Sequence, residues 1–90
     1  MPKYVIEREL PGAGALSGDE LHAISGKSNA VLAEMASRAQ WLHSYVTTDK
    51  IYCVYVADDE KTVLEHAERG GFPANVVSKV ATVIDPVTGE

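Results

Sequence analysis

Cysteine is nearly absent from this 90-residue chain: Cys53 stands alone, so no internal disulfide can staple the fold and no Cys-x-x-Cys pair can clasp a metal. The three histidines, His22, His43 and His66, form neither His-x-x-x-His nor His-Glu-x-x-His, which excludes a metal site built on one helical turn. Gly12-Ala13-Gly14 is too short to cradle phosphate, and no serine sits in a nucleophile-elbow sequence. No apolar run approaches the length of a membrane span and no charged-then-apolar leader opens the sequence, so a membrane is not an expected partner and the cytoplasm is the expected compartment. Basic residues are also scarce. Eight Lys and Arg against thirteen Asp and Glu give a net charge of −5, which repels a phosphate backbone and offers carboxylates to cations. RNA-recognition modules carry a basic-Gly-aromatic core on their third strand, which Ile51-Tyr52-Cys53-Val54 lacks. Nucleic acid is therefore not an expected partner.

With 46% hydrophobic and 23% charged residues the composition is that of a soluble globule, and the length is that of one domain with a thin core. Lys3 to Glu9 alternates Tyr4, Ile6 and Arg8 with Val5, Glu7 and Glu9, the period-2 pattern of a strand. A loop from Pro11 to Leu16 leads to Ser17, which with Glu20 makes a capping box and starts a helix. Leu21, Ile24, Ser28, Val31, Leu32 and Met35 form its core-facing stripe, and Glu34 with Arg38 is an i, i+4 pair. Around Gly26, the residues Ser25, Ser28 and Asn29 make a small-residue patch, either for close packing or for a shallow pocket; packing is the simpler reading.

Gln40 to Thr47 and Lys50 to Val56 are β-branched and aromatic, with Thr48-Asp49 as the turn of a hairpin. Strict alternation puts Trp41, His43 and Tyr45 on one face and Leu42, Ser44 and Val46 on the other. A two- or four-residue loop sets Tyr52, Val54 and Val56 beside His43; a three-residue loop sets Ile51, Cys53 and Tyr55 there. The second is preferred because it collects Leu42, Val46, Val54 and Val56 toward the helices. Asp58-Asp59-Glu60 then opens a second helix with Val63, Leu64 and Ala67 inward, Glu65 and Arg69 paired outside, and His66 on its edge. Gly70-Gly71 and Pro73 stop it. Val76 to Ile84 reads as the last strand, and residues 87–90 as a loose tail after a single domain over 1–86.

The order β-α-β-β-α-β is the split βαβ pattern of an α+β, ferredoxin-like sandwich: a four-stranded antiparallel sheet with two helices on one face. Handedness of the crossovers places the first and third strands centrally. The opposite sheet face is left bare, and its aromatic character calls for a second copy of the chain or a ligand.

Several segments together resemble a known family. They are Tyr4-Val5-Ile6-Glu7, Leu10-Pro11-Gly12, Ser44-Tyr45-Val46, Asp49-Lys50, Tyr52-Cys53-Val54-Tyr55, Glu65-His66-Ala67 and Arg69-Gly70-Gly71-Phe72-Pro73-Ala74. Their pattern is similar to small bacterial ferredoxin-like proteins first described as a domain of unknown function, whose best-described branch is a nickel-responsive, nickel-binding protein. The resemblance implies a homodimer that holds nickel at the dimer surface, without catalysis, for sequestration or detoxification. It does not place ligands. Chemistry nominates His43, Cys53 and His66 with Glu7 or Glu9, and His22 in reserve, since imidazole, thiolate and carboxylate all suit a divalent cation such as Ni²⁺. Two other readings stay open. One is a small-molecule binder or enzyme of the dimeric α+β-barrel kind, using His43, Tyr45, Tyr55 and Glu7 on the open face. The other is an interaction or regulatory domain whose sheet face serves only to pair subunits.

Overall fold

The computed structural model describes residues 1–90. Its order is β1 (Lys3–Glu9), α1 (Gly18–Glu34), β2 (Ala39–Val46), β3 (Lys50–Ala57), α2 (Glu60–Gly70) and β4 (Val76–Lys79), with 3-10 turns at Ala13–Ala15 and Pro86–Gly89. All strand pairs are antiparallel and the sheet order is β2-β3-β1-β4. This is the ferredoxin-like α+β sandwich, with β1 and β3 central.

Local chemistry sets the helix starts. Ser17 Oγ accepts the Glu20 backbone N–H at 3.1 Å while Glu20 Oε1 accepts the Ser17 N–H at 2.9 Å, the full capping box. Asp59 caps α2 by accepting the Thr62 N–H and hydroxyl at 2.9 and 2.8 Å. Gly71 ends that helix with φ +69°, a left-handed position that glycine occupies without steric cost. Ile6, Met35 and Val63 are almost fully buried at the centre of the core, each contributing about 1.5–3 kcal/mol from leaving water.

The hairpin register differs from the preferred expectation. Thr47 N–H donates to the Lys50 carbonyl at 2.8 Å, so Thr48-Asp49 is a two-residue turn and His43 pairs with Val54, not with a residue of the Cys53 set. A second feature changes the faces again: between Trp41 and His43 the ladder is interrupted, Trp41 pairing with Tyr55 while His43 pairs with Val54. Leu42 is the extra residue of a β-bulge. Trp41 therefore points to the same side as Ser44 and Val46, where strict alternation had set it beside His43. The inner, helix-facing side carries Ile51, Cys53, Tyr55 and Ala57 of β3, and the outer side carries Tyr52, Val54 and Val56.

Three smaller expectations are also corrected. Arg38 does not pair with Glu34, because α1 ends there and Ala36 and Ser37 turn the chain at φ +52° and +64°; Arg38 instead grips Glu65 with two hydrogen bonds of 3.0 and 2.7 Å. Leu64 is 44% exposed and His66 is 1% exposed, so α2 is rotated to turn His66 inward with Thr62, Val63, Ala67 and Gly70. The last strand stops at Lys79 instead of Ile84, since β1 begins at Lys3 and the Val80 N–H to Lys3 carbonyl bond is the end of its ladder.

Candidate functional site

The six nominated metal-ligating residues fall in separate places. His43 lies on the exposed outer sheet face, its ring edge-on to Tyr45 with centroids 5.0 Å apart. Glu7 is on the same face but one row along and two strands away, where its carboxylate meets Lys50 Nζ at 3.5 Å. Glu9 lies exposed at the end of β1, and His22 is exposed on α1. Cys53 is on the inner face and buried. His66 is inside the core, between the rings of Tyr55 and Phe72 at 5.1 and 5.6 Å. No three His, Cys, Asp or Glu side chains of the chain converge on one point.

The inner face holds what sequence reasoning missed. Between α1 and the sheet lies a cavity of about 230 Å³. Leu21, Ile24, Ser25 and Ser28 of α1 form one wall; Trp41, Ser44 and Val46 of β2 and Ile51, Cys53 and Tyr55 of β3 form another; Arg8, Leu10 and the Gly71-Phe72-Pro73 segment line the rest, and the cavity opens to solvent. The small residues Ser25 and Ser28 thus line a pocket, while Gly26 faces open space. Ser28 is also packed in the core, against Tyr55 and His66.

Two polar strings run along the cavity. In the first, Trp41 Nε1–H donates to Ser44 Oγ at 2.9 Å, Ser44 Oγ donates to Cys53 Sγ at 3.0 Å, and Arg8 Nε–H donates to the same sulfur at 3.3 Å. In the second, Ser28 Oγ stands 3.3 Å from Tyr55 OH and 3.1 Å from His66 Nε2. Burial pushes the Tyr55 phenol up from its ordinary value, and burial together with the Arg8 charge pushes His66 down, so both are neutral near neutral pH.

Arg8 is the unusual member. It is 5% exposed, and its Nη1 donates to the Pro73 carbonyl while Nη2 is buried without a partner. No carboxylate answers its charge: the ion pairs of the chain join Arg38 and Arg69 to Glu65, Lys50 to Glu7 and Arg69 to Glu34. The alternation of β1 was the only sequence signal that an arginine points inward.

A crystal structure of SCO4226 from Streptomyces coelicolor A3(2) superposes with a TM-score of 0.76 at 19% identity, covering 91% of this chain and 99% of that one. At that identity the likeness speaks for the fold. No curated protein matches the chain. A model of the family described as nickel responsive protein SCO4226-like matches residues 4–80, from the first residues of β1 to just past β4. The chain belongs to the SCO4226-like family of nickel responsive proteins.

Proposed function

We propose that the protein is a non-catalytic, nickel-binding homodimer that sequesters the ion at the outer sheet face. The observation that carries this reading is His43: an exposed imidazole with no hydrogen bond of its own, on a face whose centre is Val5, Tyr52, Val54 and Val56. Such an apolar strip favours a second copy of the chain as its cover. One chain supplies a single imidazole there, too few donors for Ni²⁺, and a two-fold axis over the strip would bring a second His43 to the first. The family's name supports the metal, and the net charge of −5 favours a cation.

Cys53 and His66 lie on the inner side of the sheet, opposite His43, and take no part in this site. Calorimetric titration of the purified protein with Ni²⁺ tests the reading. Saturable binding that is lost in His43→Ala and kept in Cys53→Ser supports it; absence of binding by the unaltered protein, or full binding by His43→Ala, overturns it.

A further inference from the structure

We infer that the cavity between α1 and the sheet binds a small amphiphilic monocarboxylate, its carboxylate on the Arg8 guanidinium and its apolar body against Leu21, Ile24 and Trp41. This site is on the other side of the sheet from His43 and does not depend on the metal reading.

A buried guanidinium is stable only when its charge and donors are met. The acceptors Arg8 has are the Cys53 sulfur and the Pro73 carbonyl, its Cζ lies 5.5 Å from the centre of the Phe72 ring, and Nη2 has no hydrogen-bond partner. The neighbouring His66 is neutral and Tyr55 keeps its proton, and no carboxylate lines the cavity or pairs with Arg8, so the guanidinium is the point in the wall that suits an anionic group. Guanidinium and carboxylate are matched in shape as well as sign. Around that point the hydroxyls of Ser28, Ser44 and Tyr55 offer further hydrogen bonds, and the remaining wall is mostly apolar. An inorganic anion would leave this apolar space unfilled.

Size narrows the ligand. A dry cavity of about 150 Å³ takes benzene. By the same ratio the cavity of about 230 Å³ takes on the order of nine or ten non-hydrogen atoms, the size of a medium-chain fatty acid or a simple aromatic acid.

The only tryptophan of the chain lines the cavity and reports on it. Octanoate is titrated into the full-length protein by Trp41 fluorescence and calorimetry, with 1-octanol as the uncharged control. The expected result is saturable binding of one octanoate per chain, at least about tenfold tighter than octanol and weakened by salt. Arg8→Gln should bring the two affinities together, and Ser25→Phe, which fills the cavity from α1, should abolish both. Failure of octanoate to bind the unaltered protein, equal affinity for octanol, or a preference for octanoate that survives in Arg8→Gln would overturn the proposal. Should Arg8→Gln not fold, the comparison of octanoate with octanol and the Ser25→Phe variant still decide it.

Discussion

His66 and Arg8 share a corner of the core, each with one buried nitrogen lacking a partner, Nδ1 and Nη2. Their proximity has a thermodynamic consequence. Desolvation first, and the positive Arg8 second, hold the His66 pKa below 6.5, opposed by the hydrogen bond to Ser28. As pH falls through about 6.5 the unfolded chain takes up a proton at this histidine while the folded one does not. The folded state therefore keeps its full stability above that pH and loses it progressively toward the lower folded pKa. Glu20, Asp59 and Glu65 have pKa values lowered from about 4, so their own losses come at more acidic pH. Urea unfolding between about pH 7 and pH 5 should show a falling midpoint, and His66→Gln should remove most of that slope; a flat midpoint in the unaltered protein contradicts the assignment. Arg8 was legible in the sequence only as a position. Alternation with Tyr4 and Ile6 places it inward, but an arginine's chemistry argues for solvent, and nothing local reveals that a cavity waits beside it.

Elements whose signals are local were readable: the Ser17–Glu20 box, the Asp59 cap and the Gly71 stop are decided within a few residues of chain. The hairpin was not, because its faces depend on two parities at once. Thr48-Asp49 as a two-residue turn sets Cys53 against Ser44, and the extra residue Leu42 then returns Trp41 to the inner side. Leu42 is an apolar residue in an apolar run, so no composition cue marks the bulge. The turn itself is fixed from outside, by Leu10 N–H and Gly14 N–H donating to the Asp49 and Thr48 carbonyls and Gly12 N–H to Asp49 Oδ1, each at 3.0 Å. Gly14 needs its missing side chain there. A Cβ would sit 3.0 Å from Thr48 Cα and 3.1 Å from the Thr47 carbonyl oxygen, both backbone atoms that cannot swing aside. Gly14→Ala should therefore cost about 1–3 kcal/mol, a fall of several degrees in Tm for a domain this small. A thermal melt unchanged from the unaltered protein would show that the loop and the turn are not in contact.

For the whole molecule, the sheet separates two kinds of surface. Its inner side, covered by both helices, holds the core and the cavity; its outer side shows Val5, Tyr52, Val54 and Val56 with Tyr45 and Val76 exposed at the flanks. The sequence order alone gave that asymmetry, since split βαβ connections put both helices on one face. What each face carries changed with the register: Cys53 and Tyr55 moved inward, leaving His43 and Tyr45 outside. Pairing of two chains through the outer strip predicts a species of twice the 9.7 kDa chain mass in sedimentation equilibrium. Tyr45 is 60% exposed, so Tyr45→Arg should shift the protein toward monomer without unfolding it, and a monomeric unaltered protein would refute the pairing.

The most direct measurement is anomalous scattering from a crystal of the protein grown with Ni²⁺. The account predicts nickel on the outer sheet face, coordinated by His43 of two chains related by two-fold symmetry. Nickel bound at Cys53 or His66, or coordinated far from His43, would contradict it.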